Sequence, residues 1–160
     1  MEIRTATIHD LVAVTALEAA CFPVAEAATR ESFQTRLDTF SDHFWLLFDG
    51  KKLVSMVNGM VSNEADLTDE MFRDAGMHDP KGKWQMIFGV STLPECRRRG
   101  CAEQVLRQAI TTAKEQGRAG LVLTCKDALV HYYAKFGFED EGISGSNHGG
   151  AVWHQMRLTF

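Results

Sequence analysis

Two apolar runs separated by one amphipathic stretch restrict the fold more than anything else in this sequence. Trp84 to Thr92 is the first run, with Gln85-Met86-Ile87-Phe88-Gly89-Val90 mostly apolar, and Pro94 stops it. Ala102, Val105, Leu106, Ala109, Ile110 and Ala113 then recur along one stripe of a helix. Gly117 closes that helix, and Leu121-Val122-Leu123 reads as a short buried strand. Strand, helix and strand in this order predict parallel neighbours joined by a crossover helix. The same alternation continues: Asp127 can cap a helix running through Phe136, Gly137 breaks it, Phe138 begins a strand, and Ala151 to Leu158 is the last one.

The first half adds antiparallel pairing. Met1 to Ala6 reads as a strand, and Thr7-Ile8-His9-Asp10 as a capping box. Leu11, Val14, Leu17 and Cys21 follow on one helical face, which Phe22-Pro23 ends. Thr29 can cap a second helix carrying Phe33, Leu37 and Phe40. The runs His43 to Phe48 and Lys52 to Val61 are joined by Asp49-Gly50, a strong hairpin signal. Ser62 to Lys83 is polar and reads as a short helix inside a long loop, a kind of segment that is usually functional or disordered. The fold class is therefore α/β, with a mixed central sheet and helices. The length of 160 residues, without a repeat or linker, predicts a single domain spanning 1–160.

The charge balance bears on function. Lys and Arg total 17 and Asp and Glu 21, for a net charge of −4, which argues against a nucleic-acid partner. No stretch reaches the ~18 consecutive apolar residues of a membrane helix, and the N-terminus lacks the apolar core of a signal peptide. Cys21, Cys96, Cys101 and Cys125 lack metal-site spacing and are too sparse for a disulfide scaffold, so reduced thiols, no metal and a cytoplasmic location are expected.

Against this acidic background stands Arg97-Arg98-Arg99-Gly100-Cys101-Ala102, between the first apolar run and the amphipathic helix. Backbone N–H groups at a helix N-terminus attract anions. Gly100 lets the backbone approach a phosphate, Ala102 is small, and the arginines add charge-assisted contacts. The alternative is a solvated basic helix start. The strand and helix on either side favour a pyrophosphate cradle.

Leu93 to Ala102 resembles the acetyl-CoA-binding signature R/Q-x-x-G-x-G/A of the GNAT N-acetyltransferase superfamily. Ala128-Leu129-Val130-His131-Tyr132-Tyr133-Ala134-Lys135-Phe136-Gly137-Phe138 resembles a later motif of that superfamily, in which a tyrosine precedes a "KFGF" turn. The arylalkylamine (serotonin-type) subgroup and its bacterial relatives look most similar. Glu18 to Pro23 with Glu31-Ser32-Phe33 resembles their substrate-side loop and second helix. Leu67 to Glu70 sits in a comparable insertion, and Asp127 to Val130 with Tyr133 resembles their "NALVPFY" segment.

The resemblance implies a splayed central strand and direct acetyl transfer from acetyl-CoA to the primary amine of a small molecule. Backbone around Phe88 to Val90 would polarise the carbonyl, and Val90 and Thr92 would pair with the pantetheine arm. Arg97, Arg98, Arg99, Gly100, Cys101 and Ala102, with Asp127, would hold the coenzyme. Tyr133 would be the general acid. Phe22, Phe72, Phe88 and Glu64 are candidates for the substrate side, whereas Phe33 and Phe40 read as core. Met86 and Phe88 stand where the animal enzymes carry two histidines, which leaves the base open among Glu26, Glu64, Asp66, His78, His131 and His154. Cys125 reads as a buried core thiol. A peptide or protein amine, or a non-catalytic acyl-CoA-binding module, stand as alternatives, and both a monomer and a homodimer are open.

Overall fold

The computed structural model describes residues 1–160, which divide into two compact units. The first comprises Met1–Gly59 and Gly89–Thr111, the second Met60–Phe88 and Thr112–Phe160. Each unit holds one sheet.

The first unit is built on four antiparallel strands in the order β1-β2-β3-β6: β1 (Glu2–Thr5), β2 (Phe44–Asp49), β3 (Lys52–Asn58) and β6 (Gly89–Thr92). The expected hairpin forms at Asp49-Gly50, with Gly50 in the left-handed region at φ 61°. Phe44, Trp45, Leu46 and Leu47 are all buried, so β2 is covered on both faces.

Helix α1 (Leu11–Cys21) follows a 3-10 turn at Ile8–Asp10. The capping box is present, with Thr7 N–H donating to Asp10 Oδ2 at 2.8 Å. Arg4 adds a two-pronged bond to the same carboxylate at 2.9 and 2.8 Å. Helix α2 (Arg30–Phe40) starts at Thr29, whose hydroxyl accepts from Ser32 N–H at 3.2 Å. Phe33 and Phe40 are fully buried against Phe44, each with ring centroids 6.1 Å away. Both are core residues, as their spacing implied.

The second unit holds five strands in the order β4-β5-β7-β9-β8: β4 (Val61–Ser62), β5 (Trp84–Ile87), β7 (Gly120–Cys125), β8 (Glu139–Ile143) and β9 (His154–Thr159). Only β5 and β7 pair in parallel. The expectation of parallel neighbours holds there and fails for the next strand. Strand β9 lies between β7 and β8, antiparallel to both, because the chain returns from β8 through residues 144–153. Gly120 permits that packing: a Cβ there would lie 1.8 Å from the Leu158 carbonyl oxygen. Short α3 (Asp69–Arg73) interrupts the long polar segment as expected, and α5 (Val130–Ala134) precedes Gly137.

Helix α4 (Cys101–Glu115) carries the buried stripe Cys101, Val105, Leu106, Ala109 and Ala113, and the unit boundary falls within it after Thr111. The run Trp84 to Thr92 is not one strand. It breaks at Phe88: β5 pairs with β7, whereas β6 pairs with β3. Likewise Lys52 to Val61 divides into β3 and β4 around Gly59-Met60.

Candidate active site

In the first unit, β6 is the last strand of its sheet. One edge bonds β3, with Val57 opposite Val90 and Ser55 opposite Thr92. Thr92 is heavily committed: its hydroxyl lies 2.9 Å from Ser55 Oγ, and its carbonyl accepts from Cys21 Sγ at 3.2 Å. Val90 is only half-buried.

After β6, Pro94–Cys96 makes a 3-10 turn and the chain enters α4 through Arg97-Arg98-Arg99-Gly100. All three arginines are exposed. Arg98 has φ 63° and Gly100 φ 76°, so the backbone here turns through left-handed conformations. A Cβ on Gly100 would meet nothing within 4 Å, leaving open space above the backbone. The first helical bond runs from Gln104 N–H to Gly100 O at 3.1 Å. The amides before Gln104 lie ahead of that bond, which is the donor array of a helix start. Cys101 is buried on the core stripe and Ala102 is half-buried. Arg97 also faces Cys21, whose thiol is pushed up by burial and drawn partly back by that guanidinium.

Next to the first residue of β6 lies a polar group that the sequence reading passed over. A Cβ on Gly89 would stand 3.8 Å from both Glu18 Oε1 and Asn58 Nδ2. Glu18 is 7% exposed, and its Oε2 accepts from Ala28 N–H at 2.8 Å, holding the chain after α1. Arg36, 4% exposed, donates to Asn58 Oδ1 at 3.5 Å. Burial brings its guanidinium down to about 10 against the opposing charge of Glu18, so it stays a cation at neutral pH. Both charges stand on apolar helix stripes, Glu18 four residues after Val14 and Arg36 between Phe33 and Phe40. A charge on such a stripe was the available signal. Phe22 ends α1, half-buried, and Glu26 lies in the following loop.

In the second unit, Tyr133 on α5 is 7% exposed, with the Tyr132 ring at 5.1 Å and the Phe138 ring at 6.1 Å. Burial pushes its phenol well above the ordinary range, and the Cys125 thiol adds to this. Such a group stays protonated at neutral pH. Cys125 is buried, its own thiol raised to about 11 by burial and by Asp140 and Asp127. That is the inert core thiol anticipated. Asp127 departs from expectation. It makes no side-chain cap; Lys126 is the cap residue, and the exposed Asp127 carboxylate lies 3.4 Å from His154 Nε2. The helix it was to open also ends at Ala134 rather than Phe136.

Phe72 and Phe88 come together, stacked at 4.5 Å and 30°. His148 continues the stack on Phe72 at 5.6 Å and 14°, and Trp153 follows at 6.2 Å from His148. Neither His148 nor Trp153 was anticipated, because nothing in local spacing links residues 148 and 153 to residue 72. Glu64 is exposed beyond β4, outside this stack, and Phe22 belongs to the other unit. Met86 is fully buried.

The base candidates of the second unit are mostly engaged elsewhere. His78 Nδ1 accepts from Val61 N–H at 3.0 Å, and Asp66 accepts from Gln155 at 2.9 Å and Arg157 at 3.3 Å. His154 is bracketed by Asp127 and Asp140, while His131 is exposed on α5.

The sequence model of the acetyltransferase (GNAT) family matches residues 11–138. Among solved structures, the GphF GNAT-like decarboxylase in complex with isobutyryl-CoA superimposes with a TM-score of 0.85 at 20% identity, over 99% of each chain. The PaiA N-acetyltransferase of Thermoplasma acidophilum in complex with coenzyme A gives 0.74 at 14%, over 99% of this chain and 98% of that one. A chain of the NatC complex bound to Gag peptide and CoA gives 0.76 at 13%, over 100% and 99%. At these identities the likeness concerns the fold. No curated protein matches in sequence.

Proposed function

The chain belongs to the acetyltransferase (GNAT) family, and on that footing we propose that it transfers the acetyl group of acetyl-CoA to the primary amine of a small molecule of the arylalkylamine type. The observation that carries this is the turn Arg97–Ala102: exposed arginines, two left-handed residues, open space over Gly100 and helix-start amides. These residues fit a pyrophosphate. Arg97, Arg98 and Arg99 supply charge, and the N–H groups from Arg98 to Ala102 supply direction. The unpaired edge of β6 near Val90 fits the amide groups of a pantetheine arm. Thr92, tied to Ser55 and Cys21, contributes through its place in the strand. Asp127, being exposed and acidic, contributes least.

The chemistry is acyl transfer. A neutral amine attacks the thioester carbonyl, N–C forms, C–S breaks, Tyr133 gives its proton to the leaving sulfur, and the proton that the nitrogen sheds as the amide forms restores the phenol. Backbone donors around Phe88 to Val90 would stabilise the oxyanion. The stacked Phe72 and Phe88 rings support an acceptor with an aromatic or alkyl tail. Glu64 would attract its ammonium group from the surface, and Phe22 stays a substrate-side candidate on the first unit.

A thiol-release assay with acetyl-CoA against arylalkylamines, polyamines, amino acids and peptides tests this. Saturable release with small arylalkylamines is expected. Turnover confined to peptides would replace the acceptor class. CoA binding without release across the whole panel would leave a binding module and overturn the transferase reading.

A further inference from the structure

The long polar segment after β4 carries Phe72, whose ring lies on Phe88 just past the end of β5. Both residues are half-buried, so part of the stack stays open to solvent. Helix α3 has only five residues and is too short to hold Phe72 in place by itself. What fixes the ring must come from the sheet.

One guanidinium reaches three elements. Arg157 of β9 donates from Nε and Nη2 to the two oxygens of Glu141 on β8, at 2.9 and 3.1 Å. That is the two-pronged geometry of Arg with a carboxylate. Nη2 also donates to the Ala65 carbonyl at 2.7 Å and to Asp66 at 3.3 Å, both in the polar segment. The guanidinium stands 4.5 Å from the ring centroid of Trp84, the first residue of β5. Gln155, two residues earlier and so on the same face of β9, repeats the tie. Its Nε2 donates to Asp66 at 2.9 Å, and its Oε1 accepts from Leu67 N–H at 3.1 Å.

The Arg157 side chain is 13% exposed, against 71% for Asp66 and 38% for Glu141. With such wet partners the ion pairs contribute little as charges. What they fix is place: residues 65–67 are laid on the β8–β9 pair. Asp69 then accepts from Ser146 Oγ and from Asn147 N–H at 3.2 Å, which sets α3 at its first residue. Phe72 follows about one turn later.

We propose that Arg157 is a positioning residue for the acceptor: by tying residues 65–67 to β5 and β8 it sets Phe72 on Phe88, and thereby the preference for an amine with a flat aromatic tail. This rests on the transferase reading above, with the Phe72–Phe88 stack as the acceptor side. Every residue named lies in the second unit.

The test measures kcat and KM for phenylethylamine and for hexylamine, with CoA affinity by calorimetry. In Arg157→Gln the KM for phenylethylamine should rise about tenfold, the upper end of what one aromatic contact supplies. The KM for hexylamine, both kcat values and CoA affinity should stay within about twofold. Arg157→Lys should behave like Arg157→Gln, because an ammonium group makes neither the fork nor the flat contact with Trp84. Adding Arg157→Gln to Phe72→Leu should cost less than about twofold more, since no ring is left to place. Asp66→Ala loosens the same tie from its exposed side and should move the ratio of the two KM values the same way, by about threefold. Should Arg157→Gln not fold, Asp66→Ala decides. A wild-type KM ratio in the folded variants would overturn the proposal. So would an equal loss with both amines and with CoA, which is the mark of a merely structural role. Absence of turnover by wild type with both amines would overturn the transferase reading, and this proposal with it.

Discussion

Replacing Glu18 by alanine removes the negative charge beside a guanidinium that has almost no access to water. Arg36 is 4% exposed and, even with its affinity for protons lowered by burial, remains charged at neutral pH. It also donates to Asn58 Oδ1 at 3.5 Å, a long contact. Breaking a buried pair from one side costs ~3–5 kcal/mol. The lost acceptor for Ala28 N–H falls within that figure rather than adding to it. For a chain of this size each kcal/mol lowers Tm by ~2–4 °C, so Glu18→Ala should lower it by roughly 6–20 °C. Glu18→Gln retains an acceptor for Ala28 and should fall in between. The double variant Glu18→Ala/Arg36→Met removes both charges and should recover most of the loss, since apolar replacement of a whole buried pair is often neutral. The assay is thermal and urea unfolding of the four proteins. A Tm for Glu18→Ala within 3 °C of wild type, or a double variant no better than the single one, would refute this account.

Tyr133→Phe should cut kcat by about 100-fold with CoA affinity within twofold, measured by thiol release and by titration calorimetry. Because burial raises the Tyr133 phenol, wild-type kcat should show no decline attributable to its ionisation up to pH ~10, which a pH–rate profile reads directly. Gly100→Glu puts a carboxylate over the open backbone at φ 76° and should weaken CoA binding at least about tenfold; unchanged binding would place the anchor elsewhere. Asp10 is held below the usual carboxylate range mainly by the hydrogen bond from Arg4, so its stabilisation is present above pH ~4 and lost as pH falls through its lower folded value. Asp10→Asn should therefore cost about 1 kcal/mol at pH 7, with Arg4 part-exposed, and less at pH 2, as urea midpoints would report.

The elements that the sequence made legible are those whose causes are local. Thr7 and Thr29 announce helix starts, Asp49-Gly50 a hairpin, and the apolar recurrence from Ala102 to Ala113 a helix, and all four are found. The break at Phe88 was not visible in the residues themselves, because an apolar run looks the same whether it has one partner strand or two. The place of β9 between β7 and β8 was equally hidden, since pairing order depends on a return of the chain, not on local pattern. At the site, the arginine turn could be read from residue types at fixed spacing. The Phe72–Phe88–His148 stack could not, as it joins positions 72, 88 and 148 through tertiary structure. Asp127 shows the opposite error: a good cap residue that stands one place too late, behind Lys126.

Strand β6, only Gly89–Thr92 and last in its sheet, has a consequence for the life of the protein outside catalysis. An unpaired strand edge is a template for another chain, and brevity is one way of blunting it. A ligand that lies along this edge acts as a guest strand and removes the hazard for as long as it stays. Ligand at one hundred times its dissociation constant adds ~2.7 kcal/mol to folding stability by mass action alone. The pool of free and acylated coenzyme would then set the shelf life and solubility of the protein together with its rate of turnover. Purification in coenzyme-free buffer would be the condition under which it aggregates first.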